Sequence, residues 1–414
     1  MTVIDPTDIH RFYDDFYLFL RSSGIDSVKT DAQFFLDLLS SPHDRRDLIA
    51  PYQDAWLIAS LRHFSIKAIS CMSQTPQIIF HSQLPTNKPR FMVRNSDDFF
   101  PEIPSSHPWH LFTNAHNALL TSHLNILPDW DMFQTSHPYS AFHAAGRCIS
   151  GGPIYFTDEP GKHDIALIAQ MTAPTTRGKT AILRPPVIGK SINIYTAYEE
   201  ARFLKVSSYT GSASTGTGLL AAFNVSPRPV SEFINLADFP GVEPDTDYVI
   251  RAHTSGQLSP PMSLDHASAV VSLDLDVKCY EILSSYPLRA FTLAGSSGLR
   301  SSRTNVAVLG LLAKMTGAAA VVGTPEMIIQ ENGRLRIRVS LKALGVLGIY
   351  ISTLANREVE RDVMVLMQGR GLPVKTMRKG EEGSVLEVDV ERAWAEMGLE
   401  AGWGNVVGVE VFVR

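Results

Sequence analysis

The chain has 414 residues, of which 44% are hydrophobic and 19% charged, with 28 Gly and 25 Pro. This composition is typical of a globular chain with material for one large or two medium cores, and it excludes disorder and collagen-like repeats. Lys and Arg number 37 against 42 Asp and Glu, so a formal net charge of -5 lacks the basic excess that nucleic-acid binding requires.

The cysteines and the apolar segments limit where the protein can function. Three cysteines without a CxxC pattern, Cys71, Cys148 and Cys279, predict neither a disulfide framework nor a zinc site, and they favour a reducing, cytoplasmic compartment. The acidic start, interrupted by Pro6, is unlike a secretion signal. The most apolar run, Val306 to Val322, is too short for a membrane span and contains Lys314, so it is expected to form buried core.

The first 165 residues alternate helix-period segments with short apolar runs, which predicts parallel β/α units. In the first helix, Phe12, Phe16 and Leu20 have the spacing of an apolar face. The predicted elements are helix Ile9–Leu20, strand Asp26–Asp31, helix 50–63, strand 66–71, strand Phe91–Arg94, helix His110–Leu124, strand Ile126–Pro128, helix Tyr139–Ser150 and strand Pro153–Thr157.

Beyond about Thr172 the pattern changes to strands that alternate with period two and are separated by Pro and Gly. The clearest are Ala269–Tyr280, Arg334–Leu341, Ser384–Val390 and Val406–Val413. The sequence therefore predicts an α/β domain over residues 1–172 and an antiparallel β-rich domain, a β-sandwich, over residues 173–414. The Ser/Thr/Gly-rich stretch Ser207–Gly218 is expected to be a loop between strands.

Four histidines, His107, His110, His116 and His123, raise the question of a metal site. No Cys or carboxylate completes a tetrahedral set at this spacing, so capping, core packing or sugar contact is the preferred interpretation. The sequence predicts no metal and no cofactor.

Carboxylates after several predicted strands give the strongest functional signal. Lys29 and Asp31 are two apart on one strand, so both point to one face while Val28 and Thr30 face the covering helices. The carboxyl ends of parallel strands are where barrel enzymes keep their active sites. Further carboxylates follow the later strands, at Asp97, Asp98, Asp129, Asp131 and Asp158.

With Trp130, Phe133 and Tyr139 between them, these acids suit a neutral polyhydroxylated ligand, because carboxylate oxygens accept hydroxyl protons and aromatic faces cover C–H surfaces. The alternative is that individual aspartates cap helices, a position where Asp is common. For any one aspartate the two interpretations are equally plausible, whereas capping explains the whole set less well.

Four segments resemble the raffinose synthase and seed imbibition (alkaline α-galactosidase) branch of glycoside hydrolase family 36, in the family's order. They are Gly24–Gln33, Arg94–Asp98, Pro128–Gln134 and His143–Arg147 leading into Ser150–Tyr155. The resemblance covers residues 1 to about 165 and is looser in the β-rich remainder. It implies retaining α-galactosyl chemistry with two carboxyl groups about 5–5.5 Å apart.

By this resemblance Asp31 matches the nucleophile and Asp98 the acid/base, with Asp97 as a rival for the second role. Lys29 and Arg94 match sugar-binding positions, and Cys71 matches a substrate-lining position. Additional substrate contacts are expected, with less support, from Asp129, Trp130, Asp131 and Asp158.

The chain departs from the family pattern at its front, because the family carries a β-domain and the opening barrel strands before the nucleophile. The resemblance therefore implies a partial (β/α)8 TIM-type barrel, about its last five β/α units, followed by the β-sandwich. An open sheet of this kind should be unstable alone, so we expect a missing N-terminal half as a partner, through a truncated gene model or a split gene.

The expected activity is galactosyl transfer from galactinol to sucrose through a covalent galactosyl-enzyme. The first alternative is hydrolysis of α-galactosides by the same residues, and the second is an inactive truncated fragment. The expected partners are small-molecule sugars, namely galactinol, sucrose and α-galactosides, with no nucleic acid and no membrane.

Overall fold

The computed structural model describes residues 3–266, 268–293 and 302–414. Within these ranges no helix combines the length and the apolar character needed to cross a bilayer. The three cysteines are free thiols, with Cys71 and Cys148 buried and Cys279 exposed.

The N-terminal part is built on a parallel sheet whose four strands follow the chain order β1-β2-β3-β4. The strands are β1 (Val28–Thr30), β2 (Ala68–Ser70), β3 (Phe91–Arg94) and β4 (Ile126–Asp129). The helices of this part are α1 (Ile9–Ser22), α2 (Pro42–Phe64), α3 (Pro76–Ile78, extended by a π-helical turn, Ile79–Gln83), α4 (Ser106–Thr121), α5 (Ser140–Ser150) and α6 (Ile165–Met171).

Local chemistry explains the start of the longest helix, α2. The Ser41 side chain accepts a hydrogen bond of 3.2 Å from the Asp44 N–H, and Pro42 fills the first helical position, where no N–H is needed. The helix therefore begins eight residues before the predicted residue 50. It buries Trp56 and Phe64 against α1 and β3.

The alternation predicted for β1 is confirmed. The Thr30 hydroxyl points to the helices, where it lies 2.6 Å from the Tyr17 hydroxyl of α1 and accepts a 2.9 Å hydrogen bond from Trp56 Nε1 of α2. Lys29 points to the opposite face, where its ammonium meets the loop that follows β4.

Two predictions of this region are wrong. Helix α1 buries Ile9, Tyr13 and Tyr17, whereas Phe12 and Phe16 are 47% and 45% exposed. Helix α1 has aromatic residues on two faces, so the spacing of apolar residues could not show which face is buried. The predicted fifth strand, Pro153–Thr157, is reduced to a single parallel bridge between Phe133 and Phe156, so the sheet has four strands rather than five.

The rest of the described chain is antiparallel. Its strands are β5 (Thr172–Pro174), β6 (Thr180–Ile182), β7 (Lys190–Ser191), β8 (Leu204–Thr210), β9 (Thr217–Phe223), β10 (Val230–Asn235), β11 (Tyr248–Ala252), β12 (Val270–Leu275), β13 (Tyr280–Pro287), β14 (Arg289–Leu293), β15 (Ser302–Leu311), β16 (Glu326–Ile329), β17 (Leu335–Leu341), β18 (Val346–Ile351), β19 (Val363–Met367), β20 (Arg370–Gly371), β21 (Met377–Lys379), β22 (Val385–Asp389) and β23 (Val407–Val413). Two short helices, α7 (Val359–Asp362) and α8 (Val390–Glu396), lie between the later strands.

Most of these strands form three five-stranded sheets, in the orders β11-β13-β9-β8-β7, β14-β15-β18-β22-β21 and β16-β17-β23-β19-β20, while β5-β6 and β10-β12 are two-stranded. The second and third pack on each other through one apolar cluster that includes Ile349, Leu386, Ile337 and Val409. The first shares a core with Phe142 of α5 and thus joins the β-rich part to the parallel sheet.

Candidate active site

The side chain at the centre of the candidate site is Asp131, which lies just after β4. Its Oδ1 atom lies 2.7 Å from Lys29 Nζ and 3.0 Å from Arg94 Nη1, and it accepts a 3.2 Å hydrogen bond from the Tyr155 hydroxyl. Its Oδ2 atom accepts a 2.8 Å hydrogen bond from the Phe99 N–H. One buried carboxylate therefore connects β1, β3, the loop after β3 and the segment after α5.

The charges around Asp131 fix its ionisation. Burial alone would raise the pKa, but Arg94, Lys29 and the Phe99 N–H lower the pKa of Asp131 to about 2. Burial lowers the pKa of the Arg94 guanidinium, but the neighbouring carboxylates, Asp131 above all, raise it by more. Both groups are therefore charged throughout the range in which the protein is expected to work.

The neighbouring Asp129 has the opposite electrostatic character. It is fully buried, its Oδ2 atom accepts a 2.9 Å hydrogen bond from the Tyr155 hydroxyl, and its Oδ1 atom accepts one of 3.0 Å from the Asp131 N–H. Burial, followed by the charge of Asp131, raises the pKa of Asp129. Burial and the two carboxylates raise the pKa of Tyr155 as well, which keeps its hydroxyl a hydrogen-bond donor.

Asp31 and Cys71 meet at the ends of β1 and β2. The Asp31 side chain is exposed and accepts a 2.8 Å hydrogen bond from the Ala32 N–H. Burial and the adjacent Asp31 carboxylate raise the pKa of the Cys71 thiol to about 11 against the opposing effect of Arg94 and Lys29. Arg94 Nη1 also lies 3.7 Å from Cys71 Sγ, so the thiol sits between Asp31 and the arginine.

The two adjacent acids after β3 are held differently. Asp98 pairs with Arg94 Nη2, and half of its side chain is exposed. Asp97 turns toward α4, where its Oδ1 atom accepts a 3.2 Å hydrogen bond from the Thr113 hydroxyl and lies 3.2 Å from His110 Nδ1. Burial would raise the pKa of Asp97, but His110 and Thr113 lower it by more. Only Asp98 of this pair shares Arg94 with the Asp131 cluster.

The backbone is left-handed at three non-glycine residues directly after strand ends of the parallel sheet. The residues are Ala32 after β1, Met72 after β2 and Asp131 after β4, with φ of 51°, 50° and 66°. This conformation is uncommon without glycine and is often found at functional sites. It turns the chain sharply where Asp31, Cys71 and Asp131 are presented.

A buried histidine and arginine network lies behind the acids. Arg147, fully buried, donates to the Asp131 and Met132 carbonyls at 3.2 and 2.9 Å, and its Nη1 atom lies 2.8 Å from His143 Nδ1. His143 Nε2 lies 2.7 Å from His107 Nδ1, and His107 Nε2 lies 3.2 Å from the Pro101 carbonyl. This network fastens the loop after β3 to the loop after β4.

The histidines of this network are neutral. Burial lowers the pKa of His107 to about 4 and that of His143 well below its ordinary value. Since Arg147 can only donate, His143 accepts at Nδ1 and donates from Nε2 to His107, which in turn donates to the Pro101 carbonyl. His107 and His110 therefore act in core hydrogen bonding, one of the interpretations preferred from the sequence.

Most of the sequence-predicted residues lie together in the structure, and three, Asp97, Trp130 and Asp158, do not. Lys29, Asp31, Cys71, Arg94, Asp98, Asp129 and Asp131 form one connected set. Trp130 is fully buried among the core side chains that include Leu111 and Phe142, which does not fit the predicted substrate contact.

Asp158 departs from the prediction too. Its oxygens accept hydrogen bonds from the Thr135 N–H and hydroxyl, both at 2.7 Å, and its side chain is completely buried. It holds the turn at residues 135–136, which is a structural role but not the helix capping that the sequence left open.

Sequence reasoning missed Tyr155, His143 and Arg147 as site residues. All three lie in segments that resemble the family pattern, Tyr155 within a predicted strand, but the resemblance assigned them no role. In the part of the chain that the structure describes, no three His, Cys, Asp or Glu side chains are grouped as a metal ion would require. The site can instead combine an exposed carboxylate, a second carboxylate on an arginine, and donors for sugar hydroxyls.

These features define an α/β protein with a carboxylate-rich site at the carboxyl edge of a parallel sheet. Residues 1–190 match the family model for raffinose synthase or seed imbibition protein Sip1. The predicted family resemblance is thereby confirmed.

Two curated plant proteins illustrate the similarity. A probable galactinol–sucrose galactosyltransferase 1 from Arabidopsis thaliana is 26% identical over 87% of this chain and 48% of its own length. Stachyose synthase from Pisum sativum is 28% identical over 54% of this chain and 26% of its own length. The chain thus spans less than half the length of these relatives.

A solved structure, α-galactosidase I from Mortierella vinacea, aligns with 66% of this chain and 71% of its own at 12% identity and a TM-score of 0.45.

Proposed function

We propose that this chain carries the catalytic acids of a retaining α-galactosyl transferase that moves galactose from galactinol to sucrose. The observation that carries the proposal is a series of contacts at three adjacent strand ends. The Cys71 N–H donates to the Thr30 carbonyl, next to Asp31, at 2.9 Å, Arg94 Nη1 lies 3.7 Å from Cys71 Sγ, and Arg94 Nη2 pairs with Asp98. The name of the Arabidopsis thaliana relative supplies the donor and the acceptor.

In the first step an Asp31 carboxylate oxygen attacks the anomeric carbon of galactose, and the bond from that carbon to the leaving oxygen breaks. Asp98 gives its proton to the leaving oxygen, which departs as the free alcohol. Asp31 suits the first role because its side chain is exposed at the strand end. Asp98 suits the second because it is the acid of its pair that stays accessible.

In the second step Asp98, now ionised, takes the proton of an acceptor hydroxyl. The acceptor oxygen attacks the anomeric carbon and releases the Asp31 carboxylate, so that two inversions give retention. Lys29 and Arg94 would donate hydrogen bonds to sugar hydroxyls beside Asp131. If water replaces the sugar acceptor, the same residues hydrolyse α-galactosides.

We also propose that the four-stranded parallel sheet is part of a (β/α)8 barrel, with a domain boundary near residue 172. Strands lie about 4.8 Å apart, so β1 and β4 would be separated by roughly 14 Å in a flat sheet. Lys29 on β1 nevertheless contacts Asp131 after β4 at 2.7 Å, which supports a strongly curved sheet.

Further β/α units would pack where this part of the sheet is open. The β1 edge has no neighbouring strand in the described chain. Beside it, α1 exposes Phe12, Phe16 and Phe19, the last at 63%. The relative from Arabidopsis thaliana is about twice as long as the part that matches this chain, so its unmatched sequence has room for such units.

The test is incubation of the purified chain with galactinol and sucrose, followed by chromatography of the sugars and intact-mass analysis of the protein. Raffinose formation, and a galactosyl adduct on the peptide containing Asp31, are expected for the wild type. Asp31→Asn should abolish both, whereas Asp26→Asn, exposed just before β1, serves as the matched control.

The alternatives give different results. Free galactose without raffinose identifies a hydrolase that uses the same acids. Neither product nor adduct, from a chain that unfolds cooperatively, identifies an inactive fragment. Full activity of Asp31→Asn would refute the assignment of the nucleophile.

A further inference from the structure

A cavity of about 340 Å³ lies far along the chain from the candidate active site, between two of the antiparallel sheets. One wall comes from the ends of β8, β9 and β13, and the other from β14, β15 and the segment 318–327. None of its lining residues belongs to residues 1–190. Its size is in the range of small-molecule sites.

Two threonines give this cavity a polar wall. Thr210 and Thr217 are directly paired across the β8–β9 hairpin, so their side chains lie side by side on one face of the sheet. Both residues are buried, at 6% and 8% exposure. Within the described ranges no protein group hydrogen-bonds to either hydroxyl, and neither oxygen is among the fully buried unpaired atoms, so both hydroxyls are open to the cavity.

The opposite wall is apolar. Ala307 and Ala318 line it together with Met327, and the ring of the buried Tyr286 completes the floor while its hydroxyl donates to the Leu309 carbonyl at 2.9 Å. The cavity thus offers unpaired hydroxyls on one side and a surface for C–H groups on the other.

The mouth is framed by two loops that touch through hydroxyl groups. The loop 211–216, in the Ser/Thr/Gly-rich stretch noted in the sequence, reaches the loop before β16, where Thr324 Oγ1 lies 3.1 Å from Ser212 Oγ. Among the described residues that line the cavity, Arg289 is the one with a charge, and it is exposed at the start of β14. An uncharged interior disfavours ions, since burying a charge without a partner costs several kcal/mol.

We propose that this cavity is a second carbohydrate site, which binds a neutral sugar or polyol no larger than a disaccharide. The Thr210 and Thr217 hydroxyls would donate to and accept from ligand hydroxyls, while the apolar wall would cover the C–H face of the ring. The site does not depend on the galactosyl chemistry proposed above, because it shares no residue with it.

Methyl NMR of the full chain, with labelled Met and Ala methyls, tests this directly. Titration with sucrose, galactose and myo-inositol should shift the Met327 and Ala318 signals in a saturable way for at least one probe. The Met171 methyl, buried in a different cluster, should stay in place. Melting temperature is a poorer readout, because concentrated sugars stabilise folded proteins by exclusion from their surface.

Thr210→Val and Thr217→Val keep shape and β-branching while removing the hydroxyls. Each should weaken binding of the responding sugar about fivefold, the effect of one lost hydrogen bond. Thr180→Val, on exposed β6, is the control and should bind as the wild type does. Asp31→Asn should also leave the Met327 shift unchanged.

Three outcomes would overturn the proposal. The first is that no sugar shifts Met327 or Ala318. The second is that both threonine variants bind as tightly as the wild type. The third is that toluene, used as an apolar probe, shifts these methyls when the sugars do not, which would make the cavity an apolar site instead.

Discussion

Lys29 and Asp131 lie at opposite sides of the four-stranded sheet, yet Lys29 Nζ is 2.7 Å from Asp131 Oδ1. The Lys29 side chain of β1 thus reaches the loop after β4. It crosses the ends of β2 and β3, where Cys71 and Arg94 lie. Lys29 is partly exposed, whereas Asp131 is almost completely buried. The contact therefore holds β1 to the loop after β4 and also stabilises the charge of a buried carboxylate.

We expect Lys29→Met to destabilise the protein by about 2 kcal/mol at pH 7, because it removes one of the two cations beside a buried carboxylate. Arg94 still pairs with Asp131 at 3.0 Å, which keeps the loss moderate. Urea unfolding measures it. Lys162→Met, an exposed lysine paired only with Glu159, is the control and should change the free energy of unfolding by less than about 0.5 kcal/mol.

The same variant should alter the dependence of stability on pH. The pKa of Asp131 is lowered to about 2, so its contribution is present above the unfolded-state pKa near 4 and is lost as pH falls toward 2. Lys29→Met raises the folded-state pKa and should flatten the loss between pH 4 and 2. An unchanged slope would mean that Lys29 does not act on this carboxylate.

Asp97 and Asp98 can be separated by their dependence on the leaving group. Asp98→Ala should lower turnover of galactinol at least about 100-fold and should recover on aryl galactosides with good leaving groups, which need little protonation. Asp97→Ala should show no such recovery, because its carboxylate is engaged by His110 and Thr113. If Asp97→Ala recovers and Asp98→Ala does not, their roles are exchanged.

The buried histidines should make the protein less stable below pH 6.5. The pKa of His107 falls to about 4 on folding, so between about 6.5 and 4 the unfolded chain binds a proton that the folded chain does not. Stability should therefore decline over that window as pH falls, by up to about 3 kcal/mol for His107. Thermal unfolding across this range measures the decline.

His107→Asn should lose part of that pH dependence even if it lowers stability overall. His10→Asn is the control, since His10 is exposed on α1. A wild-type protein equally stable at pH 6.5 and pH 4 would contradict the neutral histidine network.

The sequence predicted those features that local geometry decides. The period-two alternation of a strand placed Lys29 and Asp31 on one face and Thr30 on the other, and the bounds of β3 were predicted to the residue. Periodicity failed for α1, where aromatic residues occupy two faces and only the packing against α2 determines that Tyr13 and Tyr17 are buried.

The supporting residues of the site could not be predicted, because they act over long range. Arg147 is identifiable only once α5 is packed behind β4, where its guanidinium finds the Asp131 carbonyl. Tyr155 is found only once the chain after α5 returns to Asp129. The burial of Trp130 could not be predicted, because an aromatic residue between two acids suits a sugar site and a core equally well.

The segment that follows α5 packs against β4 at Gly152, and this close approach requires a residue without a side chain. A Cβ atom at this position would lie 1.8 Å from the Pro128 carbonyl oxygen, which is backbone and cannot move aside. Gly152→Ala should therefore cost at least about 3 kcal/mol in the free energy of unfolding, as for other severe overpacking changes. It should also displace Tyr155 and weaken its 2.9 Å hydrogen bond to Asp129, so that galactosyl transfer falls together with stability.

Gly402→Ala is the matched control, because an added Cβ there meets nothing within 4 Å. Urea unfolding of both variants and transfer assays on the folded fraction separate the two effects. If the free energy of unfolding of Gly152→Ala lies within about 0.5 kcal/mol of the wild type, this segment does not lie against β4. The position of Tyr155 beside Asp129 and Asp131 would then be wrong.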